Sequence, residues 1–150
     1  MPLDAIRRAF GLSVRRRVFI SYDHDEDARF KYLLRAWNAH DEFELDMQET
    51  SPARQINSTT DHVIRSTLTR KLKAADVLVV IVGQHTHKSD WIRWEIERAQ
   101  EADVNLAVVA VKLNARYASP PALLGVGVTW VNGFTQEKIL AALRTARPRV

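Results

Sequence analysis

An α/β domain, with a parallel sheet covered by helices on both faces, is the fold class predicted by this 150-residue sequence. Three observations predict it. Short apolar runs alternate along the chain with stretches of helical periodicity. One run, Val77-Leu78-Val79-Val80-Ile81-Val82, is apolar without interruption, the pattern of a strand buried on both faces. No repeat or low-complexity tract divides the chain, and its length suits one core.

The elements follow in order. Arg17-Val18-Phe19-Ile20-Ser21-Tyr22 is a β-branched and aromatic run, a first strand. The acidic stretch Asp23-His24-Asp25-Glu26-Asp27 suits the positive end of a helix. That helix runs to about His40, with Phe30, Leu33, Leu34 and Trp37 at i, i+3, i+4, i+7. Phe43-Glu44-Leu45-Asp46 is a second strand, and the polar residues 47–58 form a long loop. Thr60 or Asp61 caps a second helix carrying Val63, Ile64, Leu68 and Leu72. Residues 77–82 are the third strand, 83–90 a loop, and 91 to about 102 a helix. Residues 106–113 form a fourth strand and 114–127 a loop containing Pro120-Pro121, with room for a short helical turn. Val128-Thr129-Trp130-Val131 is the last strand, and Thr135 starts a closing helix with Ile139, Leu140 and Leu143.

This rhythm gives a five-stranded parallel sheet of order 2-1-3-4-5 in a flavodoxin-like three-layer α/β/α arrangement, joined by right-handed crossovers. Ligands in such sheets bind beyond the carboxyl ends of the strands, near the switch point between strands one and three. The rule selects Ser21, Tyr22 and Asp23 after strand one, Asp46 after strand two, and the loop from Gly83 to Trp91 after strand three.

Composition narrows the function classes. No run of 18 apolar residues predicts a membrane span, and residues 1–17 lack the apolar stretch of a signal peptide. The absence of cysteine excludes disulfides, thiol catalysis and thiolate metal sites, and fits a cytoplasmic protein. The net charge of +4 sits entirely in residues 1–17, where Arg7, Arg8, Arg15, Arg16 and Arg17 oppose only Asp4. Residues 1–16 therefore form a basic arm before a domain over 17–150, and nucleic acid is not an expected partner of the neutral body. The arm, with Leu3, Ile6 and Phe10 on one side, is read as packing on the domain, as a solvated tail, or as touching an anionic surface or partner without stable insertion.

The candidate site lies on the helix after strand three. At about 100° per residue, Ile92, Ile96 and Ala99 form its buried stripe, with Glu95 about 60° and Trp91 about 100° from the stripe's centre. Glu95 is thus a partly desolvated carboxylate, whose pKa rises on burial, one helical turn from an indole that can stack on a flat ligand. The alternative is a boundary glutamate paired with Arg98 or another neighbour. His85-x-His87 with Asp90 falls short of the three or four convergent ligands a metal site needs. Neither G-x-G-x-x-G nor G-x-x-x-x-G-K-[ST] occurs, no G-x-S-x-G elbow occurs, and strand three ends Val82-Gly83-Gln84 without the acid of a phosphoacceptor domain.

Phe19-Ile20-Ser21-Tyr22-Asp23-His24-Asp25, the run 75–82, and Ser89-x-Trp91-x-x-x-Glu95-Ile96 together resemble a TIR domain over residues 17–145. More narrowly, they resemble stand-alone bacterial TIR-like proteins such as the TIR component of Thoeris anti-phage systems. The resemblance implies cleavage of the nicotinamide–ribose bond of NAD, bound as substrate with no separate cofactor. It further implies release of a cyclic or modified ADP-ribose signal read by a separate effector protein. In that family Glu95 matches the catalytic glutamate, Ser21 and Tyr22 the pocket-lining turn, and 47–58 a variable loop that gates the site or mediates self-assembly. Two other readings stay open: a non-catalytic TIR-like interaction module, and an N-glycoside enzyme similar to nucleoside deoxyribosyltransferases.

Overall fold

The computed structural model describes residues 15–38, 42–47, 61–125 and 127–148. Five strands, β1 (Arg16–Ser21), β2 (Phe43–Met47), β3 (Val77–Val82), β4 (Ala107–Lys112) and β5 (Thr129–Asn132), form one parallel sheet. Its order is β2-β1-β3-β4-β5, as the sequence predicts. Four helices among the described residues cover it: α1 (Ala28–Trp37), α2 (Asp61–Ala74), α3 (Asp90–Gln100) and α4 (Gln136–Thr145). Short 3-10 turns at Thr86–Lys88 and Pro121–Leu123 interrupt the loops after β3 and β4.

Strand alternation sorts the core into two layers. Val18, Ile20, Val77, Val79, Ile81, Val109 and Val111 face α1 and α4, meeting Leu34, Ile139 and Leu143. Phe19, Leu78, Val80, Val82, Val108 and Ala110 face α2 and α3, meeting Leu68, Leu72, Ile92 and Ile96. All six residues of β3 are fully buried because the strand sits centrally between the layers.

Local polar contacts fix the element ends. Asp76 accepts the Arg17 N–H at 2.8 Å while its own N–H bonds the Arg17 carbonyl, clasping the start of β3 to β1. Asn38, just past α1, donates to the Phe43 carbonyl at 2.7 Å and accepts the Phe43 N–H at 2.9 Å, which stops the helix and launches β2. Arg16 lies in β1, not in an arm, and donates to the Leu143 carbonyl at the end of α4. The rest of the expected arm, apart from Arg15, lies outside the described residues, as do the 48–58 part of the polar loop and Thr60.

Two apolar positions expected in the core are solvent-facing. Leu33 is exposed because the inward stripe of α1 is centred on Lys31 and Leu34. Val63 is exposed because it lies about 140° around α2 from the buried Leu68. No helix among the described residues is long and apolar enough to cross a membrane.

Candidate active site

Helix α3 starts from the loop at the switch point. Ser89 is its N-cap, and its hydroxyl accepts the Ile92 N–H at 3.2 Å, while Asp90 adds negative charge in the first turn. The serine of the Ser89-x-Trp91 motif therefore sets the helix start. From that start Trp91, Ile92, Glu95, Ile96 and Ala99 fall on the buried face.

Glu95 is 2% exposed, deeper than the shoulder position that periodicity predicts. Burial raises its pKa to about 7. The Ser21 hydroxyl at the end of β1 acts in the opposite direction, yet neither Ser21 Oγ nor Glu95 Oε2 closes a hydrogen bond of good geometry. A buried polar atom left in this way costs about 1–3 kcal/mol. Pairing with Arg98 is overturned: that guanidinium holds Asp103 at 2.7 and 2.8 Å and Glu101 at 2.6 Å on the exposed side.

The other candidates are dispersed. Trp91 shares the face of Glu95, but its ring is buried and meets Trp94 edge-on at 6.1 Å instead of forming an open platform. Tyr22 follows Ser21 and therefore takes the opposite side of the sheet. It packs in the α1/α4 layer, stacked on His24 at 4.4 Å, so it does not meet Glu95. Asp23 holds the turn into α1, its carboxylate accepting the Asp25 and Glu26 N–H groups. Asp46 is half-exposed and pairs with Lys71 at 3.5 Å, in a shallow groove with Arg17 and Glu44. Gly83 is buried at the end of β3, and its N–H donates to Thr86 Oγ1 at 2.8 Å.

Gly83 points to a residue that sequence reasoning missed. A Cβ on Gly83 would lie 2.2 Å from Asp27 Oδ2, so the glycine makes room for that carboxyl. Asp27 occupies the N-cap position of α1 without a side-chain cap bond. It is 6% exposed, and Oδ2 has no hydrogen-bond partner. Burial, with Asp23 and Glu26 nearby, raises its pKa to about 6. The sequence offered one signal, a glycine where β3 meets the acidic turn, but the acidic run read as ordinary helix-end charge. The nearby His85 is engaged by Glu26, and no group of three His, Asp or Glu side chains among the described residues is placed to hold a metal ion.

A family model described as the TIR-like domain of the Thoeris protein ThsB matches residues 19–117. The chain belongs to that family. The matched span of this TIR-like domain includes Ser21, Asp27, Gly83, Trp91 and Glu95, and stops before β5 and α4. A solved structure, a conserved protein from Enterococcus faecalis V583, is similar in fold at a TM-score of 0.61 and 17% identity. The alignment covers 87% of this chain and 98% of that one, so the likeness extends past the matched span. Comparison with curated proteins gives no match.

The TIR-like domain thus presents two buried carboxyl groups at the carboxyl ends of its central strands, each with an unsatisfied oxygen. They lie in different layers. Glu95 belongs with α3, and Asp27 lies at the mouth of the α1/α4 side. A dry carboxylate of this kind favours positive charge developing beside it more strongly than a solvated one does.

Proposed function

We propose that this TIR-like domain cleaves the nicotinamide–ribose bond of NAD, with Glu95 as the catalytic carboxylate. The observation that carries the reading is the burial of Glu95 with one oxygen unsatisfied among the described residues. Such a group is expensive to keep and is common where chemistry needs it.

The reaction asks little of an acid. The glycosidic electron pair leaves with nicotinamide, which departs neutral from its cationic form, so the leaving group needs no proton. Positive charge then develops on the ribose in an oxocarbenium-like transition state. Ionised Glu95 stabilises that charge or fixes the ribose hydroxyls, with Ser21 assigned to orient the carboxylate. The anomeric carbon is captured by water or by another atom of the same substrate, with loss of a proton. The second route gives a cyclic ADP-ribose and requires water to be excluded. We place this product as a signal in anti-phage defence, made in the cytoplasm and read by a separate effector protein, with self-assembly through TIR surfaces as a means of switching the enzyme on.

A second reading, a non-catalytic interaction module, is favoured by the closure of Glu95 and by the exposed Tyr32 and Leu33 on α1. Mass-resolved chromatography of NAD incubated with wild type and Glu95→Gln separates the two. The enzyme reading expects free nicotinamide from wild type and at least about a hundredfold less from the variant. Equal turnover by both proteins would remove Glu95 from the mechanism.

A further inference from the structure

The mouth of the α1/α4 layer holds a cleft of about 430 Å³, within the size range of small-molecule sites. The start of α1 and the turn before it, the residue after Gly83, the loop after β4 and Phe134 between β5 and α4 all contribute to it. Its lining includes Asp27, whose carboxyl is seated against Gly83, with Oδ2 enclosed there and without a partner among the described residues. One wall is aromatic: Phe134 packs against Phe30 at 4.6 Å, and Tyr117 in the loop after β4 also lines the cleft. The rim carries two amides. Asn114 Oδ1 already accepts the Arg116 N–H, which leaves its NH2 group to donate, and Gln84 is exposed.

We propose that this cleft binds an unphosphorylated nucleoside, with Asp27 Oδ1 accepting the ribose 2′-hydroxyl, the aromatic wall stacking on the base, and Asn114 and Gln84 reading the base edge. An acceptor-only carboxylate oxygen suits a hydroxyl donor, which ribose supplies and 2′-deoxyribose lacks at that position. The charge of the lining selects against phosphate. Glu26 and Asp27 outweigh Arg29, whose guanidinium is drawn over the Phe30 ring at 4.7 Å, and Asp23 adds a further negative charge nearby. A Cβ on Gly83 would overlap the carboxyl, so the glycine is part of the cradle. This site lies across the sheet from Glu95 and stands independently of the NAD reading. The loop 83–89 connects the two, running from the Asp27 contact directly to the N-cap of α3.

The test is titration of the isotope-labelled protein with adenosine, 2′-deoxyadenosine and AMP, followed by NMR. Adenosine is expected to shift the side-chain amides of Gln84 and Asn114 and the backbone of 113–117 saturably. Loss of one hydrogen bond to a carboxylate weakens binding about tenfold, so 2′-deoxyadenosine should bind that much more weakly, and AMP more weakly still. Asp27→Asn keeps the shape, should lose about tenfold for adenosine, and should no longer distinguish it from the deoxy form. Tyr117→Ala, on an outer loop, should weaken adenosine and 2′-deoxyadenosine alike. The proposal is overturned by no saturable shift at millimolar adenosine, by AMP binding as well as adenosine, by unchanged binding in Asp27→Asn, or by shifts centred on α3 around Glu95.

Discussion

Glu95 carries opposite consequences for stability and for the proposed activity. Its folded pKa of about 7 lies above its ordinary value near 4.5 because the ionised form is desolvated. The stability associated with its neutral form is fully present below about pH 4.5 and is lost as pH rises through about 7. That loss is on the order of 3 kcal/mol at pH 8. Glu95→Gln, which cannot ionise, should therefore be more stable than wild type at pH 8 by about 1–3 kcal/mol, with the gap closing towards pH 5. Urea denaturation at the two pH values measures this, and a variant less stable than wild type at pH 8 would contradict the buried, unpartnered carboxylate. Gly83 gives a second residue-level prediction. Gly83→Ala should cost about 1–3 kcal/mol by driving its Cβ into Asp27, and the loss should shrink in Gly83→Ala/Asp27→Ala. Additive losses in that double-mutant cycle would separate the two residues.

Helix α3 is where sequence pattern and structure agree most closely. The 3.6-residue period put Ile92, Ile96 and Ala99 inward and Glu95 beside them, and all four are buried. Ser89, part of the segment that resembles a TIR domain, acts as the cap. Ser89→Ala should destabilise the domain by about 1 kcal/mol, read from the denaturation midpoint, and a change within error would show that the cap contributes little. Strand β1 shows where sequence reading fell short. Ser21 and Tyr22 were grouped as one turn, but successive strand residues point to opposite faces, so one joins Glu95 and the other packs beneath α1. Trp91 was read as a platform, and four-residue spacing does place it on the face of Glu95. Spacing does not reveal that Trp94 and the core enclose its ring. Asp27 escaped notice because its burial depends on a long-range approach to Gly83, which no local pattern encodes.

For the whole molecule, the sheet order was legible because β3 is apolar without interruption and therefore central, and the crossovers are right-handed. The contents of the layers' mouths were not, since they depend on which loop residues meet across the sheet. Two buried acids now give the protein a common pH response. Asp27, raised to about 6, loses its contribution between about pH 4 and 6, and Glu95 loses its own between about 4.5 and 7. Stability should fall across that window while the proposed NAD cleavage, assigned to ionised Glu95, should rise through about pH 7. Thermal melts and initial rates over the same buffers check the opposing slopes; a rate that falls from pH 6 to 8 would point to protonated Glu95 as the working form. The most direct test of the central claim is mass analysis of NAD incubated with the protein, and with lysates of phage-challenged cells expressing it, wild type beside Glu95→Gln. The account predicts nicotinamide and an ADP-ribose product with wild type and at least about a hundredfold less with the variant. NAD left intact by wild type in both settings, or consumed equally by Glu95→Gln, would contradict it.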